Sequence, residues 1–219
     1  MSFNIDISKL PTAPQHFDVD KETQDLNERL LTRAYAMVAE AERLIGQQRQ
    51  RIKVLEGLSF TDELTGALNR RAFEMSLSRE LSNALRDPAA AGTVIMIDLD
   101  GFKLVNDRFG HAAGDAYLQL VVQTLKATLR EGDVIARMGG DEFAIILPRI
   151  KATTGQKRAQ QLQTQLSAAA LTWNEYALPL RASFGAASYT GTDNALEVVK
   201  RADARLYANK TARKNKRSA

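Results

Sequence analysis

The stretch "DVIARMGGDEFAIILP", Asp133 to Pro148, constrains this chain most. Two short β-prone apolar runs, "VIARM" and "EFAIIL", flank Gly139-Gly140-Asp141. Glycine accepts positive φ without steric cost, so paired glycines between such runs mark a hairpin. A further run, "TVIMI", is short, β-branched and unbroken, and reads as a buried strand ending at Asp98. A hairpin and a buried strand commit the chain to a sheet. They also leave Asp98 and Asp141 at strand ends, and Glu142 directly after Asp141. A turn needs neither a second acid nor so bare a backbone.

The remaining pattern completes a domain. "LSFTDELTGALNRRAFEMSL" is loop chemistry followed by a helix to about Arg86, which Asp87-Pro88 ends. A helix is expected from about Gly114, then the hairpin. "GQKRAQQLQTQLSAAAL" reads as a helix, "LRASFGAASYT" as a strand and "DNALEVVKRADARLYANK" as a closing helix. The order predicts an α/β fold of the α+β type. Its central sheet is mostly antiparallel and flanked by helices.

Ahead of it, Lys21 to Leu58 holds no proline and repeats apolar residues every seven positions. One row is Leu30, Met37, Leu44, Arg51, Leu58; a second is Leu31, Val38, Ile45, Ile52; a third is Ala34, Ala41, Gln48, Leu55. A sustained seven-residue repeat favours a coiled coil. On spacing alone, an amphipathic helix folded back on its own domain stays open. Residues 1–19, with Pro11 and Pro14, read as loosely structured.

Composition excludes several classes. With no cysteine among 219 residues, disulfides, thiolate zinc sites and cysteine nucleophiles are out. No apolar run approaches the ~20 residues that span a bilayer, and no secretory signal is evident, so a soluble cytoplasmic protein is expected. The net charge of +4 does not indicate nucleic acid. Lys210, Arg213, Lys214, Lys216 and Arg217 cluster at one end, and subtracting these five leaves the rest at −1.

An acid ending a buried strand is costly unless it meets a cation or hydrogen-bond donors. "DLDG" is not an EF-hand loop. Phe102 stands where an oxygen ligand is needed, and the segment follows a strand rather than a helix. Asp98 and Asp141 can instead converge on one divalent metal, for which hard oxygen ligands select magnesium or manganese. Gly139-Gly140 would then let a nucleotide approach the backbone. Each acid taken alone has a plainer reading as a hydrogen-bond acceptor.

Four segments in order, "SFTDELTGALNRR", "MIDLDGFKLVNDRFGHAAGD", "REGDVIARMGGDEF" and "RADARLYANK", resemble the GGDEF-domain diguanylate cyclases, over about residues 58–216. The resemblance implies a nucleotidyl cyclase or polymerase-palm-like fold. It also implies an enzyme that condenses two GTP into cyclic di-GMP and two pyrophosphates across a homodimer. Position by position, Asp98, the Leu99 carbonyl, Asp141 and Glu142 resemble the metal site, with Mg2+ or Mn2+ as cofactor. Asp141 also matches the assigned proton acceptor. Lys103 matches the phosphate-stabilising lysine, with the N–H groups of Gly101 and Phe102 cradling phosphate. Asn106 and Asp115 match the guanine readers. On the plainer reading they cap a turn and a helix.

Arg130 and Asp133 match an RxxD site at which cyclic di-GMP inhibits, with Lys157 and Arg158 as further contacts. In isolation RxxD is a common surface spacing. Lys210 stands at the phosphate-binding lysine. Arg213-Lys214-Asn215 departs from the usual Gly-Arg-Asn, so Lys214 replaces an arginine and lacks its bidentate fork. The expected organisation is a loose start (1–19), a coiled-coil dimerisation helix (20–57), the cyclase domain (58–216) and a basic tail (217–219). No nucleic acid or membrane span is expected, and a protein partner could bind the N-terminal segment. The competing reading is a non-catalytic receptor for cyclic di-GMP or GTP.

Overall fold

The unbroken apolar run does form a strand, and its alternating side chains build two cores. The computed structural model describes residues 19–58 and 60–217, with side chains at 23–48 and 60–212. The chain divides into two compact units, Met1–Leu58 and Ser59–Ala219. The described part of the first is one helix, α1 (Val19–Leu58). The second runs β1 (Leu68–Asn69), α2 (Arg70–Arg86), a 3-10 turn (Pro88–Ala90), β2 (Gly92–Leu99), α3 (Phe102–Phe109), α4 (His111–Lys126), β3 (Val134–Gly139), β4 (Glu142–Leu147), α5 (Ala152–Ala168), β5 (Ala170–Trp173), β6 (Tyr176–Pro179), β7 (Ala182–Tyr189) and α6 (Ala195–Arg217).

Five strands form the sheet in the order β1-β3-β4-β2-β7. Pairing is antiparallel except between β1 and β3. Successive side chains leave a strand on opposite faces. Ile95, Ile97 and Leu99 of β2 therefore join one core, with Leu118, Val121, Val122 and Leu125 of α4 and Leu162 and Leu166 of α5. Val94 and Met96 join the other, with Phe73, Leu77 and Leu81 of α2 and Val198 and Ala202 of α6. The α4 residues recur at i, i+3, i+4 and i+7, the spacing of one helix face. Truncating such a buried leucine to alanine costs ~2–5 kcal/mol.

β7 is an outer strand, and its outward carbonyls are covered. Ala182 accepts from Gln163 at 3.0 Å, Phe184 from Asn209 at 2.7 Å, Ala186 from Arg205 and Ser188 from Arg201 at 2.8 Å. Three of these donors stand four residues apart on α6, a rise of ~6 Å. Their acceptors stand two apart on β7, ~6.8 Å. The near match fixes the position of α6 along the sheet and closes the edge to other strands.

Four features depart from the sequence reading, the first being the parallel edge strand β1, where loop chemistry was expected. α3 is an additional helix, bounded by Gly101 and Gly110, with no fully buried residue to give it a core stripe. α4 begins at His111, ahead of the expected start near Gly114. "ALTWNEYALP" folds as the two-stranded hairpin β5–β6, whose turn carries Asn174 at φ 51°.

α1 has 40 residues and spans ~60 Å at ~1.5 Å per residue. Its described side chains are all exposed, including Leu30 at 55%, Met37 at 68% and Leu44 at 47%. Leu31, Val38 and Ile45 are exposed beside them. Arg51, Ile52, Leu55 and Leu58 lie outside the described side chains, and the loose start lies outside the described residues as far as residue 18.

Candidate active site

Asp98 and Asp141 meet where β2 ends and the β3–β4 turn begins. Leu99 N–H donates to the Asp141 carbonyl at 3.2 Å, and Asp98 pairs with Glu142 in the β2–β4 ladder. Both aspartates line a cavity of about 550 Å3 with Leu99, Gly101, Phe102, Lys103, Arg181 and Lys210. Gly101, at φ 78°, turns the chain from β2 into α3. The first N–H groups of a helix have no intrahelical acceptor, so the start of α3 offers donors at the cavity wall.

The turn that carries Asp141 is braced by residues the sequence reading did not single out. Gly140 adopts φ 48°. Its carbonyl accepts from Arg137 Nε at 3.0 Å and Nη2 at 2.8 Å. The same guanidinium reaches both Asp62 oxygens at 3.2 Å. Asp62 also accepts from the Thr65 backbone and hydroxyl, at 2.9 and 2.6 Å. Burial alone would raise the Asp62 carboxyl, but the Thr65 hydrogen bonds and the Arg137 charge outweigh it and hold it below the usual carboxylate range. "TDELTG" is thus the anchor of the hairpin turn. The signal was present in the sequence, as a lone arginine inside the apolar run "VIARM".

At the α3–α4 junction Asn106 packs against Gly114, the residue before Asp115. A Cβ on Gly114 would lie 1.9 Å from Asn106 Oδ1 and 3.3 Å from the Phe102 ring. Only the absence of a side chain there lets the Asn106 amide sit against α4, one residue from Asp115. Phe102 stacks obliquely on Tyr117, with centroids 6.0 Å apart. The Tyr117 hydroxyl donates to the Pro179 carbonyl and accepts from Arg181 N–H, both at 3.0 Å. Burial pushes this phenol up. Tyr117 therefore ties α4 to the segment that closes the cavity.

Lys210 Nζ lies 2.5 Å from Asp98 Oδ1. The carboxylate already holds one cation, which shows that positive charge fits there. Among the described residues, no cluster of three or more histidine or acidic side chains stands at metal-ligand spacing. Lys103 is exposed on the first turn of α3, on the same cavity. Lys214 falls outside the described side chains.

Glu142 is exposed, and it lines a neighbouring cavity of about 160 Å3 with Arg70 and Asp203. Arg70 Nε donates to the Met138 carbonyl at 3.0 Å. Burial raises the Asp203 carboxyl, against the nearby Arg70 charge. Gly139 and Gly140 are exposed at the turn.

Arg130 and Asp133 form a closed turn away from these residues. Arg130 N–H donates to Asp133 Oδ2, and Asp133 N–H to the Arg130 carbonyl, both at 2.9 Å. The Arg130 side chain is exposed. Arg158 of α5 reaches the Thr128 carbonyl at 2.6 Å, beside that turn; Lys157 is exposed.

The family model described as "Diguanylate cyclase, GGDEF domain" matches residues 59–216. Diguanylate cyclase DgcP of Pseudomonas aeruginosa is 35% identical over 156 residues, covering 70% of this chain and 23% of that protein. The chain spans less than half the length of the curated relatives it matches. Among solved structures, the coiled coil and GGDEF domain of DgcB from Caulobacter crescentus, in complex with c-di-GMP, aligns with TM-score 0.66 at 29% identity. That alignment covers 84% of this chain and 95% of the solved DgcB chain. Diguanylate cyclase SiaD of Pseudomonas aeruginosa, in complex with its activator SiaC, aligns with TM-score 0.66 at 28% identity, covering 89% of this chain and 75% of SiaD.

Proposed function

Because the chain belongs to the GGDEF-domain diguanylate cyclase family, we propose that it condenses two GTP into cyclic di-GMP and two pyrophosphates. Each of two copies presents one GTP. The observation that carries this reading is the convergence of Asp98, Asp141, Lys103 and Lys210 on one cavity.

Each residue type meets a demand of the reaction. The triphosphate is polyanionic; Lys103 and Lys210 offset its charge, and the N–H groups of Gly101 and Phe102 point donors at it. Asp98, the Leu99 carbonyl, Asp141 and Glu142 would hold magnesium or manganese, which when bound would polarise the phosphate and offset charge on the leaving pyrophosphate. Asp115 accepts from guanine N1–H and the exocyclic amine. Adenine lacks that donor pair, so ATP would leave a carboxylate unpaired. Asn106 supplies a second contact. The bare backbone of Gly139-Gly140 admits the second nucleotide, whose 3′-hydroxyl attacks the α-phosphate beside Asp141. Lys214 adds a point charge for phosphate.

The exposed seven-residue stripe of α1 pairs two copies through residues 20–57, which raises the effective concentration of one loaded domain for the other. Arg130 and Asp133, with Arg158 beside them, form the product-inhibition site. A protein bound to the N-terminal segment is the fitting input, as SiaC is the activator of SiaD.

The test is turnover of GTP with Mg2+ by the full chain and by Asp141→Ala. The variant should lose at least about a hundredfold in rate, the scale of removing one preorganised transition-state contact. Wild-type turnover by Asp141→Ala would remove that residue from the mechanism.

A further inference from the structure

The Asp98–Lys210 contact has two features that do not follow from phosphate binding. First, the Lys210 ammonium lies 2.5 Å from Asp98 Oδ1, a position on the carboxylate where a metal ion would also sit. Second, both side chains are largely shielded, at 33% and 18% exposure. The position of Lys210 is set by its helix. Asn209, its immediate neighbour, donates to the Phe184 carbonyl at 2.7 Å, and Arg205 anchors the turn before. The cavity is also nearly balanced in charge without any ligand. Asp98, Asp100 and Asp141 face Lys103, Arg181 and Lys210.

We propose that Lys210 is the internal counter-cation of Asp98, so that the site rejects free divalent metal and takes it together with a triphosphate. The inference rests on the reading of the cavity as a metal–nucleotide site. A metal arriving alone must expel an ammonium from its carboxylate and return that charge to water. A metal arriving with a triphosphate brings the phosphate oxygens that receive the ammonium. The lysine then moves from carboxylate to phosphate, and no charge is left unpaired.

The signature is two effects of opposite sign from one substitution. Mn2+ binding to the full-length, nucleotide-free protein is followed by the electron paramagnetic resonance of the free ion. Lys210→Met should bind Mn2+ about fivefold tighter than wild type, the factor that corresponds to ~1 kcal/mol for a partly exposed ion pair. The same variant should bind GTP in EDTA several-fold more weakly. Asp98→Asn combined with Lys210→Met should abolish the tightening, which assigns it to this carboxylate. Lys210→Met binding Mn2+ no tighter than wild type would overturn the proposal, as would tightening that survives Asp98→Asn. Product formation by the wild type is read separately. A chain that makes no cyclic di-GMP, yet shows both opposed shifts, would refute the cyclase reading and keep the counter-cation.

Discussion

Alanine at Gly114 would bring a Cβ within 1.9 Å of Asn106 Oδ1. Ordinary contact is ~3.5 Å, so the amide must retreat by about 1.5 Å. The backbone itself favours the change, because alanine gains about 1 kcal/mol over glycine inside a helix. Overpacking takes back ~1–3 kcal/mol. The fold should therefore survive with a stability change under about 2 kcal/mol, measured by urea denaturation. Binding should not survive as well, because a misplacement of ~1 Å in a positioning group can cost about a hundredfold. We expect kcat/KM for GTP, followed by pyrophosphate release, to fall between about tenfold and a hundredfold. The decisive comparison is made in an Asn106→Ala background. There the added methyl meets no amide, and Gly114→Ala should cost little further, since residues in contact are non-additive. Equal losses with and without Asn106, or unchanged kcat/KM for GTP, would refute the placement of Asn106 as a guanine contact held by Gly114.

Other outcomes follow from separate parts of the structure. Arg130→Ala should weaken inhibition by cyclic di-GMP at least about tenfold, the loss of a charge-assisted contact, and leave the initial rate unchanged; inhibition curves measure both. Met37→Lys with Leu44→Lys should halve the mass found by light scattering, and should lower turnover at sub-micromolar protein; an unchanged mass would remove α1 as the dimer seam. Asp62 has a folded pKa below its ordinary 3.8, so its stabilisation is fully present above that value and lost as pH falls through the lower, folded one. Asp62→Asn should therefore cost up to ~1 kcal/mol at pH 7, a discounted figure for a partly exposed pair, and progressively less as pH falls below 3.8, as urea midpoints would report.

The sheet was legible because β2, β3 and β4 are written as β-branched runs bounded by glycines or an acid. The helices α2, α4, α5 and α6 were legible from proline-free stretches that return an apolar residue to one face. α3 was not, because eight residues with no fully buried side chain carry no such stripe. The β5–β6 hairpin was hidden by its turn, which uses Asn174 at positive φ in place of glycine. At the site, Asp98, Asp141 and Lys103 could be picked out as chemistry-bearing types near strand ends and motifs. The supports could not. Arg137 and Asp62 meet across 75 positions, Tyr117 holds a backbone carbonyl 62 positions away, and the Lys210–Asp98 pair joins the last helix to β2. These are products of topology, which a local pattern does not encode. Gly114 is an intermediate case, since its glycine reads as a helix start and its role as a seat for Asn106 emerges only in three dimensions.

The central claim is that this cavity makes a cyclic dinucleotide from GTP, and product identification tests it most directly. The purified full chain is incubated with GTP and Mg2+, and the nucleotides are resolved by chromatography with mass detection. The account predicts cyclic di-GMP, two pyrophosphates for each molecule formed, and no corresponding product from ATP. Bound GTP or cyclic di-GMP with no cyclic product under any metal or protein concentration would contradict it, and would leave the chain as a receptor.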